Sequence, residues 1–120
     1  MTITLDTGLD GFLAGLRQCG LEPVVEAGVV TFPIEPFSGA RAGTILDTGV
    51  SVDEVATWPA VPPHWVHFPA DLGFAHSNTQ PSTKPGWTKH SRQINQWGNA
   101  TEPAQAWVAH ARSVAGEATT

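Results

Sequence analysis

The sequence predicts an α+β fold, on three observations. An apolar helical stripe opens the chain and another closes it, while β-branched runs broken by glycine and proline fill the middle. With 120 residues the chain is expected to form one domain over 1–120, with 116–120 fraying. The sheet is expected to hold about four antiparallel strands, followed by a long loop rich in Pro, His and Trp.

Leu9, Phe12, Leu13 and Leu16 fall at i, i+3, i+4 and i+7, which predicts the first helix. Thr7 or Asp6 can cap its start, and Gly20 stands where a helix stops. Cys19 lies at the edge of the apolar face and reads as a small core residue. "EPVVEAGVVTFPIEPF" has β-branched pairs on both sides of Ala27-Gly28, so it reads as a hairpin or a bulged strand. Residues 40–55 read as one strand or two. "PHWVHF" is a short strand in which His64, Val66 and Phe68 share one face and Trp65 and His67 the other. Residues 69–98 read mostly as loop. Ala104, Trp107, Val108, Ala111, Val114 and Ala115 predict the last helix, with Thr101 as its cap and Pro103 in its first turn.

The net charge of −5 argues against non-specific binding to nucleic acid, which depends on Lys and Arg neutralising phosphates. A single cysteine excludes an internal disulfide and a CxxC zinc site, and fits a reduced compartment. No stretch approaches the length of a membrane span, and the N-terminus has no basic region followed by an apolar run. A cytoplasmic protein is expected.

Chemistry concentrates between residues 56 and 97. This stretch holds four of the five Trp and four of the five His, with no acid between Asp71 and Glu102. Ser91 lies in "HSR" and is a candidate nucleophile. Adjacent side chains rarely meet, so its base would be His76 or His67; the bland alternative is a turn cap before Gln93. Asn78 and His76 either serve a reaction or hold the loop's own backbone. Arg92, Lys89 and Lys84 could receive an acidic partner or a terminal carboxylate, or pair with acids of this chain such as Asp71 or Asp53. Trp87 joins them as a partner-binding candidate, with core or loop anchoring as its alternative. His64, His67, His76 and His90 invite a metal reading. The opposed faces of His64 and His67 and the lack of a His-x-His or HExxH pair argue against it. No metal or other cofactor is expected.

The order of elements and three motifs resemble the ubiquitin-conjugating (E2) superfamily. "WPAVPP" (58–63) is similar to the family's aromatic-Pro-x-x-Pro-Pro turn. "HSN" (76–78) is similar to its His-Pro-Asn motif, with Ser77 in place of Pro, and Trp97 before a helix matches its downstream Trp. "GWTKHSRQINQW" most resembles the bacterial branch called prokaryotic E2 family E. The resemblance implies that Asn78 would polarise a carbonyl. It also implies a ubiquitin-like protein, an E1-like activating enzyme or a catalytic E2 as partners, in a bacterial pathway of antiviral defence. The family's thioester cysteine would fall near Gly86 and Trp87, where this chain has none. The expectation is therefore a pseudo-E2, a non-catalytic adaptor. The alternative is a transferase that carries its partner as an oxyester on Ser91, or a metal-dependent hydrolase built on the His cluster.

Overall fold

A computed structural model describes residues 7–75, 78–99 and 101–120. Helix α1 (Gly8–Gln18) buries Phe12 and Leu16, and Leu9 and Leu13 pack partly against the same core. Thr7 is its N-cap residue but makes no side-chain cap bond. Strands β1 (Val24–Glu26) and β2 (Val29–Ile34) form the hairpin, closed by Ala27 and Gly28 at φ of 55° and 77°. Two consecutive left-handed residues match the right-handed twist of a two-residue hairpin, and a glycine at the second lowers the cost. Residues 40–55 give one strand, β3 (Leu46–Ser51), followed by a 3-10 turn over Val52–Val55. Strand β4 (Trp65–Pro69) follows the proline-rich turn.

Here the structure departs from the expectation of about four strands and a long loop. Residues 69–98 contain β5 (Thr79–Pro81) and β6 (Trp87–Ser91), and among the described residues the sheet has six antiparallel strands in the order β1-β2-β3-β4-β6-β5. The alternation in "WTKHS" is mostly polar, so it carries no apolar signal; pairing with β4, which is rich in apolar residues, holds β6 in place. Pro81 ends β5 at the sheet's edge, where a missing backbone donor is tolerated. Helix α2 (Pro103–Ala115) starts from Glu102 as N-cap residue, not Thr101.

Val30, Phe32 and Ile34 of β2, Leu46 and Val50 of β3, and Val66 and Phe68 of β4 point to one face, where α1 and α2 cover them. Trp107 sits at the centre with no exposed surface. The proline-rich turn is fastened to this core. Trp58 packs edge-on against Phe12 at 4.8 Å, and Trp97 lies 5.3 Å from Trp58 while its indole N–H donates to the Pro59 carbonyl at 2.7 Å. The Trp58-Pro59 peptide is cis. Cys19 is half-buried at the end of α1, outside the core cluster in which it was expected.

The opposite face of the sheet is partly closed as well. The turn between β5 and β6 reaches the β1–β2 turn: Thr83 Oγ1 donates to the Ala27 carbonyl at 2.8 Å, and Lys84 Nζ pairs with Glu26 Oε1 at 2.9 Å. Val29 and His67 are on this face, yet they are 0% and 2% exposed.

The last residues make contacts with the rest of the chain. Ala118 is buried and bridges to Phe74, the Thr119 N–H donates to the Gly73 carbonyl at 2.8 Å, and Glu117 pairs with Arg92. Satisfied backbone groups and a buried side chain hold these residues. Gly39 shows how closely the segment after β2 rests on the end of α2. Its φ is +86°, and a Cβ there would lie 2.1 Å from the Gly116 carbonyl oxygen. Gly39→Ala is expected to cost about 2 kcal/mol or more, from backbone strain plus overpacking. A urea melt measures this, and an unchanged midpoint would mean that the contact can give way freely.

Candidate functional site

Three imidazoles near the β4–β6–β5 end of the sheet are each hydrogen-bonded to hydroxyls, and the surroundings separate their roles. His67 Nδ1 bonds Ser82 Oγ at 2.8 Å beneath the β5–β6 turn, and its Nε2 is buried with no hydrogen-bond partner among the described residues. Its pKa is lowered to about 4, first by burial and then by Lys89 and His90. His90 lies between Thr79 Oγ1 at 3.1 Å and Thr88 Oγ1 at 3.2 Å, against the Phe74 ring at 4.3 Å. Its pKa is also lowered to about 4, by burial and the Arg92 charge, with Glu117 opposing. At neutral pH both rings are uncharged structural groups.

His64 is different, because it is exposed and its Nε2 is hydrogen-bonded to Ser91 Oγ. His64 stands just before β4, so the strand alternation that would send it to the Val66 face does not bind it. Ser91 ends β6 opposite Trp65, and the Arg92 N–H donates to the His64 carbonyl at 3.0 Å. The base expected for Ser91 was His76 or His67. His67 is instead taken up by Ser82, and His76 lies outside the described residues. Ser91 is also not a turn cap: it is the last residue of β6 and is paired on both sides.

Asn78 completes the group. β5 and β6 pair Thr79 with His90, so one step along the register sets Asn78 opposite Ser91. The Ser91 N–H donates to the Asn78 carbonyl at 3.0 Å, as that register requires. Directly opposed residues share a face with Cβ atoms about 5 Å apart. Glu54, from the 3-10 turn, accepts from the backbone N–H groups of His64 at 2.5 Å and Trp65 at 3.3 Å. It therefore holds the chain that carries His64, not the ring itself.

The cationic candidates are already engaged within the chain. Arg92 donates to Glu117 from Nε at 3.1 Å and Nη2 at 2.8 Å, so its acid is Glu117 in the tail, not Asp71 or Asp53. Lys84 pairs with Glu26 and lies 5.5 Å from the Trp87 ring centre. Lys89 stacks over Trp65 at 4.8 Å. Trp87 is half-buried at the start of β6. Among the described residues no three His, Cys, Asp or Glu side chains converge on a point that could hold a metal ion.

The roles of His64 and Glu54 were missed in the sequence. Their meeting with β6 depends on a register that no local motif encodes. Cys19 lines two open grooves of about 440 and 420 Å³ along the helices, and the residues lining them do not include Ser91. Its thiol pKa is raised by burial and by Glu102, which disfavours the reactive thiolate.

The fold and site define an α+β domain built on an open antiparallel sheet, with a Ser-His pair on one side of it. Comparison with protein-family models, curated proteins and solved structures gave no match. No helix among the described residues is long and apolar enough to cross a membrane.

Proposed function

We propose that this chain is an E2-like binding domain of a ubiquitin-like conjugation pathway, one that engages its partners without forming a thioester. Its partners would be a ubiquitin-like protein, its E1-like activating enzyme or a catalytic E2. The observation that carries this reading is the position of the only thiol. Cys19 ends α1 with its pKa raised, whereas the positions that match the family's cysteine, Gly86 and Trp87, are the end of a hairpin turn and the first residue of β6. The element order also supports it: a helix, a four-strand meander, then Trp97 and a final helix, with β5 and β6 as additions. The aromatic-proline turn and Trp97 are consumed in mutual packing, which suits a scaffold.

The test mixes the chain with bacterial ubiquitin-like proteins, their matched activating enzymes and E2 enzymes, and ATP. Co-elution with one of these on a sizing column is expected, with no thiol-labile adduct by intact mass. A thioester on Cys19 would overturn the non-thioester role, and the absence of any complex across the panel would overturn the binding role.

A further inference from the structure

We infer that Ser91 is an acyl acceptor, with His64 as its base and Asn78 as the donor to the developing oxyanion. The substrate class is an activated carboxylic ester or a thioester. This inference does not rest on the E2-like reading, because the residues that carry it are set side by side by strand register alone.

Three observations converge. The Ser91 hydroxyl is hydrogen-bonded to His64 Nε2, the contact that a hydroxyl nucleophile needs to lose its proton. Among the described residues, three imidazoles around this end of the sheet are hydrogen-bonded to hydroxyls, and of these only His64 is exposed, since His67 and His90 are buried. Asn78 is exposed and opposite Ser91, so its carboxamide is within reach of an oxygen bound at the Ser91 carbonyl adduct. Glu54 is a positioning residue: it holds the N–H groups of His64 and Trp65 and so sets where the imidazole stands.

With the imidazole proton on Nδ1, Nε2 accepts the hydroxyl proton as Ser91 Oγ attacks the acyl carbon. The carbonyl oxygen takes up negative charge beside Asn78. The bond from the acyl carbon to the leaving oxygen or sulfur then breaks, and the leaving group takes its electron pair and the proton from His64. The products are an O-acyl Ser91 and an alcohol or thiol. Nothing is oxidised or reduced, and no further reactant is needed.

The probe is p-nitrophenyl acetate, read by p-nitrophenolate release, intact mass and peptide mapping. A Cys19→Ala background removes the competing thiol. One acetyl group on Ser91 is expected, absent in Ser91→Ala. General-base assistance is commonly about 10²-fold or more, and a side-chain oxyanion donor is of similar size. His64→Gln and Asn78→Ala are therefore each expected to slow Ser91 acetylation by about 10²-fold. Ser113→Ala, on the exposed side of α2, should leave the rate unchanged. Ser91→Cys should accelerate acylation, which guards against reading a folding defect of Ser91→Ala as lost chemistry. Acetyl groups confined to lysines, or a Ser91 rate insensitive to His64→Gln, would overturn the inference. Co-elution with a ubiquitin-like protein is scored separately in Ser91→Ala, so a failed acyl acceptor and a failed binding domain give different results.

Discussion

Acidification from pH 7 to pH 4 is expected to unfold this protein. His67 and His90 have pKa values of about 4 in the folded state, against 6.5 for an unperturbed imidazole. Burial is the main cause in both; Lys89 and His90 add to it at His67, and Arg92 adds to it at His90 against Glu117. Between these two pH values the unfolded chain binds more protons than the folded one. The stability from neutral imidazoles is therefore fully present above about pH 6.5 and drains away as pH falls towards 4. A difference of this size corresponds to about 3 kcal/mol per imidazole. Total stabilities of small domains are about 5–15 kcal/mol, so two such groups can remove most of the margin. His110, whose pKa is also lowered mainly by burial, acts in the same direction. Tryptophan fluorescence followed from pH 7 to pH 3 measures the midpoint. His90→Gln keeps hydrogen-bonding capacity between Thr79 and Thr88 but cannot take up the proton, and its midpoint should move to lower pH. If both proteins stay folded below pH 3, the buried imidazoles do not control acid stability.

Trp107→Ala is expected to be the most damaging single core substitution. The side chain is fully buried in the core cluster, and truncating a buried Trp costs about 3–5 kcal/mol through lost transfer energy and the cavity left behind. Its indole N–H has no hydrogen-bond partner among the described residues, so Trp107→Phe loses ring volume without breaking a bond. That variant should sit much closer to the parent protein. Urea denaturation of the two gives the comparison. A loss of under about 1 kcal/mol in Trp107→Ala would mean that the core can collapse around the site.

The helices were legible in the sequence because their apolar residues repeat at the helical period, and both stripes point to the buried face. The β1–β2 hairpin was legible from β-branched pairs around Ala27-Gly28, and β4 from its apolar alternation. β6 was not, because Thr88, Lys89 and Ser91 give it no apolar face of its own. Its stability comes from β4, about twenty residues earlier in the chain. The same limit applies to the site. Ser91 and Asn78 could be chosen by residue type, but their opposition across β5 and β6 is a matter of register. The contact with His64 requires knowing that β6, not β5, lies beside β4. The contacts of the last residues were not legible for a related reason: Ala118 is too small to announce burial, and the partners, Phe74 for Ala118 and Gly73 for Thr119, are more than forty residues away.

The contact between the β1–β2 and β5–β6 turns bears on how this protein behaves at high concentration. A sheet with two free edges offers each as a template for pairing with another molecule. Here each edge strand is only three residues long, and Pro81 lies on one of them. The Lys84–Glu26 and Thr83–Ala27 contacts draw the turns beside those edges together across the outer face. A neighbouring molecule would find little straight, unpaired backbone to lengthen into a shared sheet. Resistance to edge-to-edge aggregation is thus built into the way the sheet curls, despite the exposed valines at positions 24 and 25.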